Sequence, residues 1–115
     1  MQAANIIDLI RKQAELQPDH VAFACVDSND RITYGDLLQR VNAVADWLQA
    51  RGCRRFDRCG LHCPEGPEFL VNALGILATG LAVAPISITV PPQELDRVIG
   101  AAGLHWLLSA DKKLL

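Results

Sequence analysis

Apolar residues recur every three or four positions in two stretches of the N-terminal half, and this spacing predicts two amphipathic helices. The first begins after Asn5, a residue type that caps helix starts, with Asp8 near the positive end of the helix. Pro18 ends it, because proline cannot continue a helix. The second begins after Thr33, with Asp36 three residues later, a spacing that resembles a capping box.

The second helix carries the clearest core stripe in the chain. Its apolar positions follow helical spacing and are Leu37, Val41, Val44, Ala45 and Leu48. Gly52 stands where helices often end in a left-handed residue. This stretch therefore predicts a helix that packs one face against a core.

The residues between these two helices predict a β-hairpin. Within residues 20–26, Val21, Phe23 and Cys25 would share one face of a strand. A polar turn follows at residues 27–30, and residues 31–33 would return as the second arm.

From residue 58 onwards, predicted strands and helices alternate. The strands cover residues 58–63, 81–86 and 104–108, and the helices cover residues 68–78 and a segment from Pro91-Pro92 to near Gly103. Such alternation requires a parallel sheet with right-handed crossovers. We therefore predict an α/β fold of three layers, with a mostly parallel sheet, flanking helices and an N-terminal β-hairpin.

Residues 69–90 contain no charge and are numerous enough to span a bilayer. Gly75, Gly80 and Pro85 interrupt the stretch. A buried helix followed by a buried strand is the better interpretation, because strands covered on both faces are continuously apolar. A membrane-associated protein that uses this stretch is kept as an alternative.

Composition adds limits on the class of protein. A chain of 115 residues with 50% hydrophobic and 21% charged residues fits one soluble domain, residues 1–115. The net charge of −2 offers no basic excess, so we expect no nucleic-acid partner. Asp8, Arg11 and Lys12 interrupt the apolar run that a signal peptide would need. We therefore expect a cytoplasmic protein whose four cysteines are free thiols.

A cluster of cysteine and histidine residues is the most tempting candidate site. It comprises Cys53, Cys59, His62 and Cys63. Zinc ligands must converge at about 2.0–2.3 Å from the ion. Cys59 and Cys63 would lie about 13 Å apart on one strand, and His62 would face the other side. Buried structural thiols are the favoured interpretation.

Other candidate residues also receive structural interpretations. The four arginines, Arg51, Arg54, Arg55 and Arg58, are able to form an anion-binding patch, but a solvated loop is the simpler expectation. Trp47 and Trp106 are expected to be core aromatics. The three histidines have no triad partner at a telling spacing. Neither glycine-rich phosphate-loop motif occurs, so no catalytic, cofactor-binding or metal-binding residue is assigned.

Several segments, in a consistent order, resemble motifs of one enzyme family. Residues 32–37 resemble its "L-T-Y-x-E-L" motif, and residues 77–86 resemble "L-K-A-G-x-A-Y-V-P-L". Between them, Gly52 with residues 56–58 matches "G-v-x-x-G-D-R-V", with Phe56 in place of the usual glycine. Residues 63–69 are similar to "P-N-x-x-E-F". Pro18-Asp19 and Ala22 match the family's opening pattern.

The chain thus resembles the N-terminal segment of the acyl-adenylate-forming superfamily. This superfamily includes acyl-CoA synthetases, fatty acyl-AMP ligases, luciferase-like enzymes and nonribosomal peptide synthetase adenylation domains. The resemblance implies a parent enzyme that uses ATP and magnesium to convert a carboxylate to an acyl-adenylate and pyrophosphate. The acyl group then passes to a thiol such as CoA or a carrier protein.

The catalytic parts of the family lie beyond the matched segments. They are the phosphate-binding loop, the acyl pocket, the ribose-binding Asp and the mobile lid. The resemblance therefore implies a catalytically silent scaffold that binds no cofactor itself and whose partner is the remainder of the parent enzyme. Thr33 would cap a helix, and Gly80 with Pro85 would shape the ends of a buried strand.

Two departures bear on the subfamily. Ala78 replaces the usual lysine or arginine, and Pro85-Ile86-Ser87 replaces "P-L-D" or "P-L-N". They leave the subfamily open, with a slight preference for an acyl-CoA synthetase. The alternative function is a stand-alone interaction module that binds a carrier protein or completes a split enzyme. An isolated segment would expose sheet edges, so self-association or domain swapping is expected.

Overall fold

The computed structural model describes residues 5–109, and its elements follow the predicted order. The N-terminal elements are α1 (Ile6–Leu16), β1 (Val21–Ala24), β2 (Arg31–Thr33) and α2 (Tyr34–Ala50). The remaining elements are β3 (Arg58–His62), α3 (Pro67–Ala78), β4 (Ala82–Pro85), a 3-10 turn (Pro92–Glu94) leading into α4 (Leu95–Ala102), and β5 (Trp106–Ser109).

Side-chain caps start the first two helices as the sequence predicts. The Asn5 side chain accepts from the Asp8 N–H at 2.9 Å, and the Thr33 hydroxyl accepts from the Asp36 N–H at 3.2 Å. Each bond satisfies a donor that the first helical turn would otherwise leave unpaired. At the other end of the chain, Gly103 closes α4 in the left-handed conformation, with φ of 64°.

The hairpin forms, but with an irregularity that the sequence pattern did not predict. β1 and β2 pair antiparallel, and the register shifts between Val21 and Phe23. A bulge of this kind breaks the simple alternation of faces. Val21 is consequently 47% exposed, while Ala22 packs against the core. The prediction that Val21, Phe23 and Cys25 share one face of a strand therefore does not hold across this bulge.

The parallel sheet has the strand order β4-β3-β5. β3 pairs with β4 on one side and with β5 on the other, both in parallel. The first crossover, through α3, connects β3 to β4 on one side of β3. The second crossover, through α4, connects β4 to β5 on the other side of β3. Right-handed crossovers in opposite directions place α3 and α4 on opposite faces of the sheet. The predicted three-layer α/β fold is confirmed.

Two buried clusters form the core on either side of the α2–α3 contact. The first contains Ile7, Ile10, Ile32, Leu37, Val41, Val71 and Leu74. The second contains Leu48, Cys59, Leu61, Cys63, Ile76 and Leu81. Val44 packs against both clusters from the middle of α2. The apolar face predicted for α2 thus connects the two core clusters.

Residues 69–90 form most of α3, all of β4 and the loop that follows. Within residues 5–109, no helix is both long enough and apolar enough to cross a membrane. The helix-then-strand interpretation is confirmed, but the strand is less buried than predicted. β4 is one of the two edge strands of the described sheet, and Ala82 and Pro85 at its ends are exposed. Proline is tolerated there because an edge strand need not donate every N–H.

Candidate functional site

The carboxyl ends of β3, β4 and β5 meet at one edge of the sheet, here called the carboxyl edge. Open parallel sheets bind ligands outside this edge, where successive crossover helices leave toward opposite faces. That point lies between β3 and β4, because α3 follows the first strand and α4 the second. A depression of about 770 Å³ opens there between residues 63–66 and residues 85–88, beside Phe23 and Phe69.

A second depression lies on the other side of the loop after β3. It measures about 730 Å³ and is bordered by α2 and β5, with mainly apolar walls that include Val44, Trp47, Leu61 and Leu108. Within residues 5–109, neither depression has a lysine or arginine in its lining. Glu65 borders both, so the charge nearest these depressions is negative. Among residues 5–109, the linings of these two depressions therefore offer no lysine or arginine to a phosphate group.

Cys63 is the one thiol that borders both depressions. Burial raises its pKa above the ordinary thiol value, and the nearby carboxylate of Glu68 adds to this effect. A hydrogen bond with Asn72 acts in the opposite direction but is a smaller influence than burial. Since the thiolate is the nucleophilic form, the surroundings of Cys63 do not activate it.

His62 is a buried polar residue at the end of β3, with 3% of its surface exposed. Its Nε2 lies 3.2 Å from the Val90 carbonyl oxygen, and its Nδ1 lies 3.3 Å from the Ser109 hydroxyl. A carbonyl oxygen only accepts, so we assign a proton to Nε2, which donates to the Val90 carbonyl. The ring therefore ties β3 to β5 and to the loop after β4.

The cysteine and histidine residues considered as a candidate metal site do not converge. Cys59 lies in the second core cluster, and burial raises the pKa of its thiol to about 11. His62 is bonded on the other side of the strand, as predicted. Within the described part of the chain, no three histidine, cysteine or acidic residues are arranged to hold a metal ion. Cys59 and Cys63 are buried and all four cysteines are free thiols.

The opposite edge of the sheet is organised around Asp57. One oxygen of its carboxylate accepts from the Arg54 N–H at 3.0 Å and from the ring N–H of Trp106 at 3.1 Å. The bond from Trp106 is the main reason that the pKa of Asp57 lies below its ordinary value. His105 Nδ1 accepts from the Arg58 N–H at 2.9 Å, which secures the start of β3 to the start of β5.

The four arginines of residues 51–58 are all exposed, which confirms the expectation of a solvated loop. Trp47 differs from its prediction as a core aromatic, since it is 38% exposed. The Arg51 guanidinium lies over its ring at 3.7 Å from the ring centre. Trp106 is half-buried and contributes to the second core cluster.

Comparison with known proteins identifies the family of this fold. The sequence matches the family model described as AMP-binding enzyme over residues 10–114. The chain belongs to the AMP-binding enzyme family. The adenylate-forming resemblance drawn from its motifs is therefore confirmed, and the motif residues now have positions in the fold.

Relatives of this AMP-binding chain include two synthetases. A nonribosomal peptide synthetase of Metarhizium robertsii is 34% identical over 98 residues, which are 85% of this chain and 1% of that protein. PF 1022-synthetase of Rosellinia sp. is 32% identical over 105 residues, or 91% of this chain and 3% of that protein. The chain thus spans only a few per cent of the length of these relatives.

A solved structure shows the same fold. The N-terminal subdomain of Klebsiella oxytoca NpsA, in complex with anthranilyl-AMSN, matches with a TM-score of 0.79 and 25% identity. The match covers 96% of this chain and 28% of that chain. The present chain therefore corresponds to part of an N-terminal subdomain.

The matched motif residues mostly occupy structural positions. Thr33 caps α2, and Gly80 adopts a φ of 84° at the turn before β4. Phe56, which stands where the family pattern has glycine, keeps the backbone conformation that glycine favours, with φ of 72°. Three features were not predicted from the sequence: the hydrogen bonds of the His62 ring, the hydrogen bond between Asp57 and Trp106, and the strained backbone of Phe56. Only the glycine pattern at residue 56 could have signalled one of them.

Proposed function

We propose that this chain is the N-terminal scaffold of an ATP-dependent adenylation domain in a peptide synthetase. The parent enzyme would convert a carboxylate and ATP to an acyl-adenylate and pyrophosphate, then pass the acyl group to the thiol of a carrier protein. The observation that carries this proposal is the AMP-binding match over residues 10–114. A relative named as a nonribosomal peptide synthetase favours this subfamily over the acyl-CoA synthetase preferred from the motif departures.

The chain itself would be catalytically silent. Phosphoryl chemistry needs preorganised donors and cations around the charge that develops on the phosphate oxygens. The described carboxyl edge supplies acidic side chains and a thiol with a raised pKa instead. ATP and magnesium would therefore be bound by the remainder of the parent enzyme, which is the partner this scaffold requires.

Carboxylate-dependent exchange of pyrophosphate into ATP tests this proposal. The 115-residue chain should give no exchange above the buffer blank with any amino acid or aryl acid supplied. The longest protein encoded in the same reading frame should give exchange with one class of carboxylate. Exchange by the short chain alone would refute the silent-scaffold assignment, and no exchange by the long protein would refute the adenylation assignment.

A stand-alone interaction module is the second candidate. The apolar depression between α2 and β5 favours this alternative, since β5 is an edge strand of the sheet formed by residues 5–109 and such a depression is suited to receive another chain. The reading frame distinguishes the two candidates. Continuation in frame beyond Leu115 supports a scaffold segment, whereas a stop codon after Leu115 supports a small binding protein.

A further inference from the structure

The segment from the end of α2 to the first residue of β3 concentrates positive charge on an acidic chain. We call residues 51–58 the arginine loop, because four of these eight residues are arginines and only Asp57 is acidic. Four positive charges and one negative charge leave the loop at +3, whereas the whole chain carries −2. The rest of the chain must therefore carry −5, so the loop is a local basic surface.

Within residues 5–109, Arg51 donates to the Trp47 carbonyl and Arg58 to the Ala102 carbonyl, and the charge of Arg54 helps to lower the pKa of Asp57. No guanidinium of the arginine loop forms an ion pair with an acidic side chain there. Asp57 is instead held by the Arg54 N–H and by Trp106. The side chains of Arg54 and Arg55 make no hydrogen bond in the described part of the chain. Their donors are available to a partner.

Aromatic rings lie among these charges. The Arg55 guanidinium sits 4.9 Å from the centre of the Phe56 ring, and Arg51 lies over Trp47. Phe56 is 76% exposed, which leaves most of its ring in water. Contact between an exposed aromatic ring and water is unfavourable, so burial of the Phe56 ring in a complex would lower the free energy. The neighbouring guanidiniums would add favourable contacts with the partner.

Hydrogen bonds hold in place the turn that carries the exposed Phe56 ring. The Phe56 N–H donates to the Gly80 carbonyl at 2.9 Å, and Arg55 Cγ lies 3.0 Å from the position of a Cβ on Gly80. The neighbouring Asp57 is held by two hydrogen bonds. A contact surface that is already ordered loses little entropy on binding. The left-handed backbone at Phe56 is thus maintained by its surroundings.

We propose that the arginine loop is a docking surface for an acidic amphipathic helix of a partner protein, whose apolar face covers the Phe56 ring. Guanidinium groups match carboxylates in a two-pronged geometry, and arginine and aromatic residues dominate the energetics of protein interfaces. Extended nucleic acids fit less well, because the −5 carried elsewhere on the chain would repel them. This docking surface is independent of the proposed adenylation function.

Fluorescence anisotropy of a labelled helical peptide tests the proposal, with glutamates around a leucine face as the probe and the full 115-residue chain as the receptor. The parent chain should bind it saturably, and more weakly as salt rises. Phe56→Gly should weaken binding about fivefold or more, and Arg54→Glu about tenfold. Arg97→Glu is the matched control, since it reverses an exposed charge on α4 outside the loop. It should change binding by less than about twofold.

Four results would overturn the proposal. They are the absence of saturable binding, equal losses for Arg54→Glu and Arg97→Glu, no loss for Phe56→Gly, and tighter binding of single-stranded RNA or of phosphatidylserine vesicles than of the peptide. Thermal unfolding of each variant accompanies the titrations. Because Phe56→Gly is expected to fold at least as stably as the parent, its loss of binding would report the missing ring. The titrations do not depend on pyrophosphate exchange. A failure of the docking proposal can therefore be distinguished from a failure of the adenylation proposal.

Discussion

Phe56 holds a left-handed backbone conformation, with φ of 72°, on an exposed turn between α2 and β3. For residues with a Cβ this region costs roughly 1–2 kcal/mol, whereas glycine enters it freely. The turn is kept in place by the bond from the Phe56 N–H to the Gly80 carbonyl. The strain at this residue is therefore a local cost that the surrounding turn imposes.

Replacing Phe56 with glycine should stabilise the chain. Relief of the backbone strain outweighs the greater unfolded-state entropy of glycine, for a net gain of about 0.5–1 kcal/mol. The melting temperature should rise by about 2–5 °C in thermal unfolding followed by circular dichroism. Phe56→Ala is the control, because it removes the ring but keeps the Cβ. A similar rise in Phe56→Ala would assign the effect to the ring and contradict this account.

Asp57 links the turn at residue 54 to Trp106 through its carboxylate. Its pKa is lowered from the ordinary value of 3.8, mainly by the hydrogen bond from Trp106. A lowered folded-state pKa means that the native protein holds the charged form more strongly than the unfolded chain does. Its stabilising effect is therefore complete well above pH 3.8 and is lost as the pH falls through the folded-state pKa.

Asp57→Asn should reveal this dependence, since asparagine keeps an acceptor oxygen but removes the charge. The variant should unfold at lower urea than the parent near neutral pH. The difference in unfolding free energy should be constant well above pH 3.8 and shrink as the pH falls through 3.8 toward the lowered folded-state pKa of Asp57, because the parent carboxyl then takes up a proton. Urea unfolding across that range measures it, and a difference that stays constant with pH would show that the charge contributes nothing.

Residue-level features were foreseeable where the signal is local in sequence. The caps at Asn5 and Thr33 depend on a partner three residues away, and both were predicted. His62 instead bonds to residues that lie 28 and 47 positions away, so no sequence window contains the interaction. The same holds for Asp57 and Trp106, which are 49 positions apart.

Among the elements, the contact between α2 and α3 holds the two core clusters together. Gly75 of α3 lies against Val44 of α2, and a Cβ at residue 75 would sit 2.5 Å from the Val44 Cβ. The Val44 Cβ is bonded directly to the backbone, so it cannot move aside as the end of a long side chain would. The helices approach this closely because residue 75 has no side chain.

Gly75→Ala should therefore destabilise the chain, although alanine is the better helix former by about 1 kcal/mol. Forcing the two helices apart costs about 1–3 kcal/mol, which exceeds the gain in helix propensity. Gly100→Ala on α4 is the matched control, because a Cβ there meets no atom within 4 Å. It should leave stability unchanged or raise it by up to about 1 kcal/mol in urea unfolding. Stabilisation by Gly75→Ala would contradict the packing described here.

Element type and order followed from periodicity, because helical and extended spacings differ clearly in this chain. The partial exposure of β4 could not be predicted, because an apolar strand shows the same sequence pattern at the centre of a sheet and at its edge. Strand position depends on the direction of each crossover, which sequence periodicity does not encode. The bulge in β1 escaped for a similar reason, since it is defined only by pairing with β2.

For the molecule as a whole, β5 (Trp106–Ser109) is an edge strand of the sheet formed by residues 5–109, and it carries no charged residue. The apolar depression between α2 and β5 lies beside it. Edge strands without charges or proline readily pair with other strands. We therefore expect the isolated chain to self-associate, with a sedimentation coefficient that increases with concentration across the micromolar range. A monomer at all concentrations would contradict this expectation.

Above all, we propose that this AMP-binding chain is a scaffold whose nucleotide site lies in the remainder of its parent enzyme. The decisive experiment is calorimetric titration with magnesium-ATP, on the 115-residue chain and on the longest protein encoded in the same reading frame. Saturable binding is expected for the longer protein only. Saturable binding of ATP by the 115-residue chain would contradict the proposal.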